Sequence, residues 1–473
     1  MDRVLFCRAP IGPIWDNRRP ILLFALMSRS NSAPSTPFEA HITALAHDGR
    51  GVARIDGKTV FVSGALLGEQ VTAKLRKRHR HFDEAEVVEV LVASPHRVEP
   101  RCRHFAECSG CSLQHLDAAA QIEAKQRVLA ENFERIGKVA PASWLPPLTA
   151  EPWGYRRKGR LSVRNVAKKG RVLVGFREEQ NPRFVTEIQQ CEVMHPALGP
   201  KVGLLAELLG TMDAVNDVPQ IEFAAGDDLM ALVFRHMQPL SEHDLAALTA
   251  FGQQHGFAIY LQPGGTSSVH PLWPEHPRLA FRIASGDARY ADVELEFQPL
   301  DFVQVNAGMN QLMMARAMEL LDPQPTDRVL DLFCGLGNFT LPIARRVAEV
   351  VGVEGEHGLV ERAAQNAARN GIANACFHVA NLFEDQRAAD WAKQPWDKLL
   401  LDPPRAGADK LLDYLPHKQT RRIVYISCHP ASLARDAGIL VERHGFRLAA
   451  AGVMDMFPHT SHVESIALFE RSS

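Results

Sequence analysis

Three segments of this chain carry residues able to share one reaction. Leu399-Leu-Leu-Asp402-Pro-Pro-Arg405 offers a carboxylate and a guanidinium after an apolar run. Ile423-Val-Tyr-Ile-Ser427-Cys428-His429-Pro430 offers a thiol in the same setting, and His462-Val-Glu464 a carboxylate just before another apolar run. A reactive cysteine and a carboxylate base suit covalent catalysis, in which a thiolate adds to an electron-poor centre and the base later removes a proton. Arg405 is expected to favour the thiolate, as nearby positive charge does. Simpler readings compete residue by residue. A cysteine at a strand end is usually a small buried hydrophobe, an Asp before Pro-Pro can cap a turn, and an isolated glutamate is usually solvated. Cys334 and Cys376 are read as core residues.

A second constellation precedes these. Asp331-Leu-Phe-Cys-Gly335-Leu-Gly337-Asn338 follows an apolar run and opens a helical pattern, and Glu354 ends the next apolar run, 23 residues after Asp331. Glycines at a strand-to-helix turn let the backbone approach a ligand, and a carboxylate at the next strand end suits ribose hydroxyls. A dinucleotide fingerprint would place a third glycine where Thr340 stands. S-adenosylmethionine, a sulfonium cation without phosphate, tolerates the neighbouring Asp331.

Cys102, Cys108 and Cys111 crowd together, and Cys191 follows some eighty residues later. Four thiolates with one C-x-x-C pair suit structural zinc or an iron–sulfur cluster, and spacing does not separate the two. Eight cysteines in 473 residues are too few for a disulfide scaffold.

The elements that must position these groups divide the chain into about three domains. Arg18 and Arg19 precede the short apolar run Ile21 to Met27, which faintly resembles a secretory signal. Residues 1–35 are read instead as a disordered leader, or as a start assigned too early, with Met27 the true start. Residues 36–95 alternate short β-like runs with glycine turns, the pattern of a small OB-type, RNA-binding barrel. Residues 96–295 form a central α+β domain that opens on the cysteines and includes a helical stretch at 117–137. Residues 296–473 alternate apolar strands with helical patterns and predict a doubly wound, Rossmann-like parallel sheet. No apolar run approaches the length of a spanning helix. The formal net charge is only −2, but residues 152–177 hold nine Lys or Arg and no Asp or Glu. That stretch, including Tyr155-Arg156-Arg157-Lys158 and Arg160, and the run Lys74 to Arg80 are read as phosphate-tracking surfaces.

DFVQVN (301–306), DLFCGLGNF (331–339), GVE (352–354), DPPR (402–405), SCHP (427–430) and HVE (462–464) occur in this order. With them the chain, from residue 38 to its end, resembles the RNA uracil-5-methyltransferase family. The resemblance implies methyl transfer from S-adenosylmethionine to C5 of a uracil. Cys428 would be the nucleophile at C6 and Glu464 the base that removes the C5 proton. Gln304, Phe333, Asn338, Glu354, Asn381 and Asp402 would contact S-adenosylmethionine. CRHFAECSGCSLQH resembles the iron–sulfur segment of ribosomal RNA members, with a TRAM-type barrel in front. That implies a [4Fe-4S] cluster on Cys102, Cys108, Cys111 and Cys191, with zinc second, and 23S ribosomal RNA as substrate, with transfer RNA second. A cytoplasmic enzyme without an obligate protein partner is expected. The rivals are an inactive RNA-binding or ribosome assembly factor, and a methyltransferase acting on protein or amino nitrogen, which would need no thiolate.

Overall fold

The computed structural model describes residues 36–415 and 419–471. The leader assigned to residues 1–35 lies outside the described residues. Structure opens with the strand Phe38–His41 and continues through Ala44–Leu45, Gly51–Ile55, Lys58–Ser63, Gln70–Arg78 and Phe82–Val92. Phe38–His41 pairs with Gln70–Arg78, while Ala44–Leu45, just downstream, pairs with Gly51–Ile55 at the other end of the sheet. The sheet therefore curls round on this first segment, which leaves few free edges. Its small core holds Ile42, Val60, Val62 and Val71.

The central region holds a six-stranded mixed sheet with Lys158–Val166 and Arg171–Gly175 as an antiparallel pair at one side. The eight-stranded C-terminal sheet runs in the order Ala375–Val379, Glu349–Glu354, Arg328–Leu332, Lys398–Leu401, Arg422–Ser427, Glu464–Glu470, Arg447–Met454, Ser143–Trp144. The first five are mutually parallel. Lys398–Leu401 is buried along its whole length, as strands covered on both faces must be. Helix His357–Arg369 covers one face with Leu359, Val360, Ala363 and Ala367, at helical spacing.

Two expectations fail here. Cys376 is exposed rather than core, because Ala375–Val379 is the edge strand and turns little of its surface inward; Cys334 is buried as expected. The boundary at 295/296 also does not divide the cores, whereas the barrel keeps a core of its own. Helix Ala118–Asn132, capped by Asp117 through Ala120 N at 2.8 Å, packs Ile122 and Leu129 into the same cluster as Leu399, Tyr425 and Val453. Ser143–Trp144 pairs in parallel with Arg447–Met454 as the eighth strand. An amphipathic pattern tells that a face is buried, not which sheet will bury it. Among the described residues no helix is long and apolar enough to cross a membrane.

Candidate active site at the carboxyl edge of the C-terminal sheet

Glu464–Glu470 runs antiparallel to Arg422–Ser427, with Ser427 opposite Ser465. Cys428, the next residue after one strand, and Glu464, the first of the other, are thus brought to the same corner of the sheet. Asp402 and Arg405 leave the adjoining strand Lys398–Leu401 at the same edge. Arg405 Nη2 lies 3.2 Å from His462 Nδ1. A cleft of about 710 Å³ reaches this corner, lined by Cys428, His429, Arg405 and His462, by Lys125 and Arg127 of helix Ala118–Asn132, and by His47 and Asp48 of the barrel.

The corner is rich in negative charge and poor in water. Burial pushes the Glu464 carboxyl up to about 8, with Asp402 adding to the rise and Arg405 and Lys125 opposing it. Burial alone pushes Asp402 up to about 7. The Cys428 thiol is raised to about 11, first by burial and then by Glu464 and Asp402. Arg405 acts in the expected direction but is outweighed, so the resting Cys428 is a thiol rather than a thiolate. A carboxylate near 8 is well matched to proton transfer at neutral pH.

The glycine turn lies beside this corner. Phe333, Gly335 and Gly337 all have positive φ, at 67°, 54° and 87°, so backbone rather than side chains forms the turn's inner surface. Gly335 N donates to Glu354 Oε2 at 3.1 Å and Gly355 N to Glu354 Oε1 at 2.6 Å, which fixes that carboxylate at the end of its strand. Asn338 exchanges amide hydrogen bonds of 3.1 and 3.2 Å with Asn310. Asp331 accepts from Thr340 Oγ1 at 2.5 Å, while its buried Oδ1 has no partner, and burial raises it to about 7. Phe333 faces Phe383 with ring centroids 5.9 Å apart, and Asn381 caps the same loop by accepting from Phe383 N at 3.1 Å. The Gln304 carbonyl accepts from Arg157 Nε at 2.9 Å.

Cys102, Cys108, Cys111 and Cys191 line one small cavity with Phe105, Phe176 and Gln114, and none is in a disulfide. Burial pushes Cys108 and Cys111 up to about 12 and raises Cys191, and Cys102, Cys111 and Cys191 add to the rise at Cys108. No three of them lie within 4.8 Å of one another.

The basic segments divide. Lys74, Arg76, Lys77, Arg78 and Arg80 are exposed on the barrel. The Tyr155–Lys158 stretch is not a phosphate surface, contrary to expectation. Tyr155 Oη donates to Pro458 O at 3.2 Å, Arg157 is buried on Gln304 O, and Lys158 Nζ donates to the carbonyls of Pro299 (2.6 Å) and Asp301 (2.5 Å). These side chains satisfy buried carbonyls between the central region and the loop that leads into helix Ala307–Leu321. Arg160 is exposed but paired with Glu222 at 2.9 Å.

Lys125 escaped the sequence reading. It sits three residues after Ile122 and four before Leu129, on the helix's buried face, with side-chain exposure of 2%. A lone lysine in an apolar stripe is the signal that marks it.

The fold and this edge define an S-adenosylmethionine-type methyltransferase domain with a cysteine at its sheet edge, behind a small barrel. Family models described as TRAM domain and tRNA (Uracil-5-)-methyltransferase match residues 36–88 and 281–472. The chain is 61% identical over 444 residues to 23S rRNA (uracil(1939)-C(5))-methyltransferase RlmD of Xanthomonas euvesicatoria, across 93% of this chain and 99% of that protein. A protein of the same name from Stenotrophomonas maltophilia is 60% identical over 449 residues, across 94% and 100%. The crystal structure of Pyrococcus abyssi tRNA (uracil-54, C5)-methyltransferase with S-adenosyl-L-homocysteine shares the fold, with TM-score 0.70 at 22% identity over 91% of this chain and 100% of that one. The chain belongs to the family of 23S rRNA (uracil-C5)-methyltransferases.

Proposed function

We propose that this chain methylates C5 of a uridine in 23S ribosomal RNA, with Cys428 as nucleophile and Glu464 as base. The observation that carries the reading is the antiparallel register that brings the buried Glu464 to the same corner of the sheet as Cys428, which lines the cleft. The Cys428 sulfur, once deprotonated, bonds to uracil C6 and makes C5 nucleophilic. S-adenosylmethionine would supply the methyl group as an electrophile on sulfur: C5 bonds to the methyl carbon, the sulfur–methyl bond breaks, and S-adenosylhomocysteine leaves. Glu464 then takes the proton from C5, the ring double bond re-forms and the C6–S bond breaks, which returns Cys428. Arg405, held by His462, offsets negative charge on Cys428 and Glu464.

Glu354 suits the ribose hydroxyls, and Phe333, Asn338 and Asn381 suit the rest of the nucleoside. Gln304 and Asp402 suit the methionine end, where Asp402 borders both the turn and Cys428. The target base must leave its stack to reach the cleft, and the exposed barrel cations suit the flanking phosphates.

Cys102, Cys108, Cys111 and Cys191 would hold a [4Fe-4S] cluster. Four undisulfided thiols facing one cavity fit a thiolate-bound group, since it relieves their mutual repulsion. Their spread also exceeds the roughly 4 Å between sulfurs in a tetrahedral zinc site. The cluster's role is structural, because methyl transfer needs no electron. Function in the cytoplasm follows from ribosomal RNA as substrate.

The test is to map 5-methyluridine in 23S rRNA from cells lacking the protein and to complement with wild type or Cys428→Ala. The wild type restores one site, and the variant does not. Normal methylation by Cys428→Ala would sink the mechanism, and loss of the mark from transfer RNA instead would overturn the substrate.

A further inference from the structure

Helix Ala118–Asn132 lies outside the catalytic sheet, yet it holds the segment that delivers the proposed base. Lys125 Nζ is 2.6 Å from Asp455 Oδ1 and donates to Phe457 O at 3.0 Å. Asp455 directly follows Met454, and Met454 is the strand partner of Glu464. Four residues back along the helix, Gln121 Oε1 accepts from His459 N at 2.9 Å. Ser112 N and Leu113 N both donate to His459 O at 2.9 Å. The loop from Asp455 to Ser461, which leads into His462-Val463-Glu464, is thus fastened from outside the sheet.

A buried lysine is costly unless it is paired. Asp455 pairs it, but the same ammonium also lines the cleft with Cys428. The charged and titratable groups facing Glu464 are Asp402 and Arg405 from the loop after Lys398–Leu401, Cys428, His462 of its own segment, and Lys125 with Asp455 beside it. Two of these are cations, Arg405 and Lys125; burial pushes the Lys125 ammonium down, and Asp455 and Glu464 oppose the fall. Arg405 is shared with His462 and opposes charge on Cys428. Lys125 has no such second duty toward the nucleophile.

We infer that Lys125 is a positioning residue for the base: it pins the strand end that carries Glu464 and supplies a cation that favours the ionised form of this carboxyl when the C5 proton must be taken. The inference rests on the reading of Glu464 as base. It assigns a role in the reaction to a helix that lies almost 340 residues away in sequence.

The test uses the full-length protein and RNA carrying tritium at uracil C5, whose release reports removal of that proton. K125Q keeps two donors for Asp455 and Phe457 O but removes the charge; K125R keeps the charge. In K125Q the acid limb of the release-rate profile should move up by about one pH unit, so that release below the limb falls about tenfold, with KM little changed. K125R should return the limb toward its wild-type position. A K125Q limb that coincides with the wild type would overturn the inference. So would an equal loss at every pH in both variants, which is the mark of a merely structural residue. Should K125Q not fold, Asp455→Asn decides, since it frees Lys125 for Glu464 and should move the limb to lower pH; an unmoved limb refutes the inference. Glu464→Gln separates the two layers. If it still releases tritium normally, the base assignment itself fails. If it blocks release while the Lys125 and Asp455 variants leave the limb in place, only the role of Lys125 fails.

Discussion

Two thiol sites in this chain share a physical condition and differ in their surroundings. Burial raises Cys428 to about 11, and Cys108 and Cys111 to about 12. The four cysteines line one small cavity, where Arg156 is the cation that favours ionisation of Cys111 and Cys191. Cys428 faces a cleft wide enough for a nucleotide, with two carboxylates and two cations around it. An elevated thiol therefore does not define a function. What stands opposite the sulfur decides what it can do, which on the proposed reading is to hold a metal centre at one site and to attack a base at the other.

The sharpest way to break this comparison is to exchange the losses. Cys428→Ala should abolish turnover, by about 10³-fold or more, and should fail to form an adduct with 5-fluorouracil RNA, while leaving the visible spectrum and melting temperature unchanged. Glu464→Gln should slow turnover by about 10²–10⁴-fold and should accumulate the Cys428–RNA adduct, seen as a retarded band on a denaturing gel. It carries a second signature. The folded protein holds the Glu464 proton up to about pH 8, whereas an unfolded glutamate loses it near its ordinary value of 4.5. Across that window the folded state binds more protons, so stability falls as pH rises. Glu464→Gln should flatten the fall in melting temperature between pH 5 and 8, and an unchanged slope would contradict the burial argument.

Cys108→Ser should act in the opposite way. Anaerobically purified wild type should be brown, and the variant should lose that absorbance and melt lower, with activity falling only as the fold loosens. A colourless wild type with one equivalent of zinc would replace the cluster. A smaller effect separates the two basic stretches. Arg157→Ala should lower the melting temperature, because it strands the Gln304 carbonyl. Lys77→Ala with Arg78→Ala should leave stability alone and reduce the salt slope of RNA binding by about one per lost phosphate contact.

Much of the scaffold was legible in the residues. The apolar runs that lead to the glycine turn, to Glu354, to Asp402 and to Cys428 correspond to the strands Arg328–Leu332, Glu349–Glu354, Lys398–Leu401 and Arg422–Ser427. The helical stretch at 117–137 contains Ala118–Asn132 and the irregular turn Phe133–Gly137. The basic stretch around Tyr155 was misread because charge density does not reveal whether a cation meets water or a buried carbonyl. Cys376 was misread because an apolar neighbourhood does not reveal an edge strand.

The sequence by itself determined the local periodicities, the glycine turn after Arg328–Leu332, and the types of group available for catalysis. Each of these is written within a dozen residues, where backbone sterics and hydrophobic spacing act. Only the tertiary structure decided that Glu464–Glu470 runs antiparallel to its neighbour, which brings Glu464 to Cys428 instead of to the far end of the sheet. It likewise decided that Lys125 meets Asp455 across 330 residues of chain. Strand order and burial partners depend on which surfaces cover one another, and that choice is made by the whole chain at once.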